Sequence, residues 1–426
     1  MKIKKILSAA LAAAMALSLC GCSVKVGTNK KVKDSAIVAQ AKGEGYSGNE
    51  ELRVTYGDFK KEYMYYLKSQ GITDDSAEEV AQQCSERRAT IINYLINEKI
   101  MLDKAKELGC GTLTSEEMDE VEAEYNEQIA EQVEYFGGAY DLGTSPTVEA
   151  GTAQSRSGDE IFDEYLADCG LTRDDLLMWQ VNSAITNKVI EEVTKDISIE
   201  YSEAETEFNN IADSIKELYE SDVYEYETGS GYTSLWLPEG ARHIKHVLLS
   251  FDSDFITELR TCRQNNDDEG ANRLREQKAE EMQAQTDEII NMLDNGADID
   301  ELIVEYSGDS SGSLVNPDGY VLVPNGESYM AEFQQAAFEL ENVGDYKTCV
   351  TDYGVHIVMY ASDAKVSDEE VKEFTDYLYD TLTQNKKNEY FSELLNQWKK
   401  DYAFEIDYDA IKIDEPSESA TEEAEG

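Results

Sequence analysis

From Val54 onward, apolar residues recur at the three- and four-residue spacing of a helix face, in Phe59, Tyr63, Tyr66 and Leu67. Ile91, Ile92, Leu95, Ile96, Ile100 and Leu102 then form a strongly apolar face that ends at Gly109. Thr114-Ser-Glu-Glu117 has the spacing of a capping box and opens a helix through Met118, Val121 and Tyr125. Residues 137–160, rich in Gly, Ser and Thr, predict a loop. Helical spacing resumes over 161–193, and Ser202-Glu-Ala-Glu205 predicts the cap of a further helix to about Tyr219. Near Trp236-Leu-Pro238 the pattern changes. Arg242 to Phe251, with Val247-Leu-Leu249 inside it, predicts a strand. One long helix follows over about 272–295, ended by Gly296, and short strands and turns fill 306–360. Ser367-Asp-Glu-Glu370 caps a last long helix, with Phe374, Leu378, Leu382, Phe391, Leu394, Leu395 and Trp398 on one face. That stripe is too wide to face solvent and needs a partner.

The two ends read differently. Met1–Lys5 is basic and Ile6–Leu19 apolar but short for a membrane span, the pattern of a secretory signal. Small residues ahead of Cys22 resemble the lipobox of bacterial lipoproteins, in which the chain is cut before the cysteine and its thiol is acylated; Cys20 is the competing position. Residues 22–50 are polar and predict a flexible tether, and 406–426 an acidic disordered tail.

The chain has 426 residues and a formal net charge of −52, from 89 acidic against 37 basic side chains. Removing residues 1–21 takes lysines and no acid, so the mature chain is more acidic still. This balance excludes nucleic acid as a partner, since phosphate binding needs a basic surface, and the body would not adhere to anionic lipid. A lipid anchor would hold it at a membrane regardless. Cys84, Cys110, Cys169, Cys262 and Cys349 are scattered without a CxxC pair, so no zinc site is expected. The three histidines, His243, His246 and His356, all fall in the mixed segment 236–365, and no metal or cofactor is expected.

That segment opens with His246-Val-Leu-Leu249 and closes with Thr351-Asp-Tyr-Gly-Val-His356-Ile-Val358. Between them stand Tyr306-Ser-Gly-Asp309 and Glu332-Phe-Gln-Gln-Ala-Ala-Phe338. Together, in this order, they resemble the parvulin-type peptidyl-prolyl isomerases, and their setting resembles the PrsA/SurA-like extracytoplasmic foldases. The resemblance implies an α+β fold. A helical chaperone-like domain (51–235, with the C-terminal helix 366–405 packed back on it) would carry an inserted parvulin-like α/β domain (236–365), a small antiparallel sheet surrounded by helices. It implies His246, Asp309 and His356 as catalytic residues, and Met330, Phe333 and Tyr353 as substrate-binding ones. Met330 stands three residues before Phe333 rather than the family's four, which leaves Tyr329 as a competitor. An alternate register would promote His243 over His246. The family's Gly-Gly-Asp-Leu-Gly stretch is Pro317-Asp-Gly-Tyr320 here. Ser250-Phe-Asp-Ser-Asp254 holds no basic loop, so phosphoserine recognition is not expected.

The chemistry suits these residue types. Rotation about an X–Pro bond crosses a barrier of ~18–20 kcal/mol without breaking a bond, so no strong nucleophile or metal is required. The expected function is isomerisation of X–Pro bonds in unfolded or newly secreted polypeptides at the outer face of a bacterial cell membrane. The rival reading is a binding chaperone with a silent parvulin domain. Homodimerisation is left open.

Overall fold

A computed structural model describes residues 32–141, 156–229, 235–309 and 317–412. The signal, Cys22 and the last fourteen residues lie outside them, and among the described residues no helix is long and apolar enough to cross a membrane. The chain divides into two compact units, residues up to 198 together with those from 385, and residues 199–384.

The first unit begins with β1 (Ile37–Ala41) and β2 (Arg53–Thr55), followed by α1 (Tyr56–Ser69), α2 (Ala81–Leu108), α3 (Ser115–Asp141), α4 (Gly158–Cys169) and α5 (Arg173–Thr194). Their starts are written in the sequence. The side chains of Thr55, Ser157 and Thr172 each accept the backbone N–H of an acid three residues on, which answers in kind. Thr114 and Glu117 do the same at the head of α3. Phe59, Tyr63, Leu67, Ile92 and Ile100 are buried in one core. Within it, Arg88 donates to Asp75 at 2.6 Å with both side chains almost fully enclosed, and the Tyr63 hydroxyl donates to the same carboxylate oxygen at 2.9 Å.

The second unit opens with α6 (Tyr201–Ser221) and α7 (Val223–Thr228). Its cap is Glu200 paired with Glu203, not Ser202, because the helix starts two residues earlier than the Ser-x-x-Glu spacing suggests. Then come β3 (Arg242–Ser250), α8 (Ser253–Gln264), α9 (Asp268–Glu281), α10 (Gln283–Asp294), α11 (Ile299–Tyr306), β4 (Tyr320–Leu322), α12 (Ala331–Phe338), β5 (Tyr346–Thr351) and β6 (Gly354–Asp363). The single helix expected over 272–295 is thus two, broken at Met282. The four strands form an antiparallel sheet in the order β4-β3-β6-β5. Gly319 enters β4 at φ +95°, and a Cβ there would stand 2.6 Å from the Ile244 carbonyl oxygen. Gly319→Ala is expected to lower the stability of this unit by about 2 kcal/mol, read as an earlier urea midpoint; an unchanged midpoint would show that the strand entry can shift.

Residues alternate across this sheet. Val247, Leu249, Val355 and Ile357 point to one face and share a core with Leu259, Ile289 and Ile303. Ile244, Val358 and Tyr360 point to the other, where α12 brings Phe333, Ala336 and Ala337. Ile215 and Tyr226 from α6 and α7 pack with Ala241, Val323 and Ala364. Residues 199–229 therefore belong with the sheet, not with the helices before them, which moves the boundary expected at 235/236.

The chain leaves by α13 (Asp368–Tyr402), capped by Ser367 with Glu370 as its sequence predicts. Its early residues Phe374 and Leu378 pack against Ala204 and Phe208 in the second unit, and Trp398 and Tyr402 are buried in the core of the first. β7 (Phe404–Ile406) and α14 (Tyr408–Ile411) complete that core. The first unit's sheet has the order β2-β1-β7, both pairings antiparallel. Two expectations are corrected here. Residues 37–41, assigned to a tether by their polar surroundings, are a central strand with Val38, Ala39 and Ala41 buried. Residues 406–411, assigned to a disordered tail, are ordered because Ala410 and Ile411 insert into the same core. The architecture is the expected α+β one, mostly helical with small antiparallel sheets.

Candidate active site

His246 and His356 stand on the adjacent central strands β3 and β6. The register pairs His246 with Val358 and Leu248 with His356, so the two histidines are diagonal neighbours on one face. Their ring centroids are 5.0 Å apart. Phe333, from the helix covering that face, sets its ring 5.0 Å from His246 and 5.3 Å from His356. Both histidines and Phe333 are buried. His243 stands at the strand entry, before a bulge, opposite Val321 and Ser362. The ring that meets Phe333 is that of His246.

Asp309 arrives from the end of α11. There the Gly308 N–H donates to the Leu248 carbonyl at 2.7 Å, and Ser307 Oγ accepts the N–H groups of Leu248 and Asp309. The Tyr-Ser-Gly-Asp stretch is thereby laced to β3, and Asp309 Oδ2 comes to 3.0 Å from His246 Nε2. Two further residues join that were given no role above. The Tyr320 hydroxyl donates to Asp309 Oδ2 at 2.6 Å, and its ring lies 5.5 Å from His246. Thr351 Oγ1 is 2.8 Å from His356 Nε2 and accepts the Tyr353 N–H at 3.1 Å. Thr351 belongs to the closing strand motif. Tyr320 was signalled only by its departure from the family's leucine.

Met330 and Tyr353 stand apart from this cluster. Met330 is 37% exposed at the head of α12, whereas Tyr329 packs with Phe333 at 6.0 Å and with Tyr320 at 5.9 Å. Tyr329, four residues before Phe333, thus occupies the place assigned to Met330, which stands one residue nearer and is turned outward. Tyr353 is 50% exposed on the β5–β6 turn, touching the site through its backbone. Arg263 grips Asp352 of that turn through Nε and Nη2, both at 3.0 Å. Arg275 donates to Glu332 at 2.6 Å and to Asp352 at 3.3 Å. These bonds fix the turn carrying Thr351 to α8, α9 and α12, and the Arg263 bond chiefly holds the Asp352 carboxyl below its ordinary value.

Burial depresses the basicity of both histidines. His356 falls to about 3, through burial first and the neighbouring His246 second, with Asp309 opposing. His246 is also lowered by burial, against the pull of Asp309. Both are neutral at pH 7. Below pH 6.5 the unfolded chain takes up protons that the folded one refuses until near pH 3 at His356, so acidification favours unfolding. The contribution of these histidines is full above pH 6.5 and falls below it by up to about 1.4 kcal/mol per pH unit for each; burial of Glu62, which raises its carboxyl to about 7, works in the opposite direction over the same range. Urea midpoints of the wild type and His356→Asn at pH 7, 6 and 5 isolate the histidine part. The variant should lose less stability, or gain more, on acidification than the wild type; equal pH dependence would exclude His356 as a source.

The class of domain follows from comparison. Residues 239–365 match the family described as the PPIC-type PPIase domain, so the second unit contains a parvulin-type domain. Along most of its length the chain is similar to curated foldases. It is 20% identical over 406 residues to the foldase protein PrsA of Clostridium botulinum (strain 657 / Type Ba4), covering 93% of this chain and 95% of that protein. It is 22% identical over 401 residues to the foldase protein PrsA of Clostridium acetobutylicum, with the same coverage. Among solved structures it is similar to PrsA from Bacillus subtilis, with 16% identity, 86% of this chain and 93% of that one covered, and a TM-score of 0.21. A SurA-like chaperone of Campylobacter jejuni is similar at 12% identity, 87% and 99% coverage, and a TM-score of 0.27. The chain thus carries a parvulin-type domain and is similar along most of its length to PrsA foldases.

Proposed function

We propose that this chain is a folding factor that accelerates cis–trans isomerisation of X–Pro bonds in unfolded or newly secreted polypeptides. One observation carries this: two buried strand histidines, a carboxylate on one of them and three aromatic rings converge on one face of the sheet. Phe333 and Tyr329 offer the flat apolar walls that clamp a pyrrolidine ring. The twisted amide at the top of the barrier has lost its conjugation and much of its dipole. A site of low polarity therefore favours it over the planar ground state. The buried imidazoles bring no positive charge beside the carbonyl, and the Asp309–His246 and Thr351–His356 bonds hold them in orientation.

A protease-coupled assay on an X–Pro tetrapeptide tests this reading. Acceleration above the uncatalysed rate supports it. No acceleration, with aggregation of an unfolded client still suppressed, would replace it by a binding chaperone. That second reading is favoured by one feature, the Tyr320 hydroxyl already bonded to Asp309. We further infer attachment to the outer face of a bacterial membrane through a lipid on Cys22, from the basic, apolar and small-residue pattern of residues 1–22. Incorporation of labelled palmitate should be lost in Cys22→Ala; retention there and loss in Cys20→Ala would move the anchor.

A further inference from the structure

The matched domain begins at residue 239, yet the turn before Tyr329 is held by residues that precede it. Glu227 in α7 accepts on Oε2 the backbone N–H groups of Glu327, at 2.6 Å, and Ser328, at 2.9 Å. Tyr219 in α6 donates its hydroxyl to the Pro324 carbonyl at 2.7 Å. Both ends of the 324–328 turn are therefore fastened from outside the domain. The approach is close: a Cβ on Gly326 would stand 2.3 Å from Glu227 Oε1 and 2.9 Å from Gln334 Nε2. Gln334 is itself buried and committed to the Val323 carbonyl at 2.6 Å. The next residue along is Tyr329, the wall that packs on Phe333 and Tyr320. Burial raises the Tyr329 hydroxyl's pKa, and the Glu227 charge adds to it.

A carboxylate that accepts two consecutive backbone N–H groups fixes the orientation of a turn more firmly than neutral contacts do. α12 gains no such help from its own first residues, since Met330 gives it no side-chain cap. We propose that Glu227 is a positioning residue for the proline site: its carboxylate fixes the 326–328 turn and so the Tyr329 wall, making substrate capture depend on a helix outside the isomerase-type domain. This rests on the proline-site reading above.

The test uses the full chain and two variants. Glu227→Gln removes the charge, and Gly326→Ala drives the carboxylate away without altering it. Glu225→Gln, exposed on the same helix, is the control. The readouts are Kd for an X–Pro tetrapeptide by NMR titration, KM and kcat in the coupled assay, and the thermal midpoint. Both variants should raise Kd and KM about three- to tenfold, as expected for losing one to two hydrogen bonds' worth of positioning, with kcat nearly unchanged and the control silent. Unchanged Kd and KM in both variants would overturn the proposal, as would a lowered thermal midpoint with unchanged Kd. If the wild-type chain binds the peptide without accelerating it and the variants bind more weakly, the isomerase reading falls and the positioning role stands. If the wild-type chain binds no peptide, both fall.

Discussion

Replacing His246 or His356 by Ala should lower kcat/KM for an X–Pro tetrapeptide by about five- to a hundredfold, equivalent to about 1–3 kcal/mol of lost hydrogen bonding in the transition state. Suppression of client aggregation should change little, because the rings that line the site are only a small part of the apolar surface a chaperone can use. His246 touches more of the site than any neighbour described above: Asp309 by a hydrogen bond, and Phe333, Tyr320 and His356 through its ring. Its removal also opens a cavity, so the thermal midpoint must be followed in parallel. A double-mutant cycle separates the two effects. If the His246–Asp309 bond is the active element, His246→Ala combined with Asp309→Asn should cost far less than the sum of the single changes. Full activity in both histidine variants would remove them from the mechanism.

Arg88→Ala should be the most destabilising single change in the first unit. It takes the guanidinium from Asp75, whose side chain is 1% exposed, and breaking a buried pair from one side costs about 3–5 kcal/mol. Arg88 also lies over the Tyr63 ring, 5.0 Å from its centroid, and donates to the Lys412 carbonyl at 3.3 Å. The loss therefore loosens α1, α2 and the C-terminal end of the described chain together. Urea unfolding followed by tyrosine fluorescence should show an earlier transition. Replacing Arg88 and Asp75 together by apolar residues of similar size should restore much of the stability. A single-variant loss below about 1 kcal/mol would mean the pair behaves like an exposed one.

The candidate cluster is largely legible in the sequence because strand alternation does the geometric work. Once His246 and His356 are placed on neighbouring antiparallel strands, their burial on one face depends only on register, and the Phe333 helix has one face to cover. What escaped depended on contacts that periodicity does not encode. Tyr320 lies in a stretch that departs from the family's pattern, and only the fold shows its hydroxyl reaching Asp309. Met330 against Tyr329 turns on the phase of the chain entering a short helix. Thr351 lies in the closing strand motif, but its bond to His356 needs the two-residue turn that folds β5 onto β6. β1 was illegible for a different reason: it is a central strand whose two partners are supplied by β2 and by β7, which lies over 360 residues away, and local composition carries no trace of such a pairing.

That distant pairing also imposes an order of events on the molecule's own birth. A chain synthesised N-terminus first presents β1 almost immediately and β7 almost last, so the first unit cannot close its sheet until synthesis is nearly complete. The segment 199–384 is continuous and needs no strand from either flank, so it is free to fold while the chain is still being made. The long-range closure comes afterwards and is the slow step by its loop length. The isomerase-type unit would thus be formed while β1 is still waiting for its edge partner.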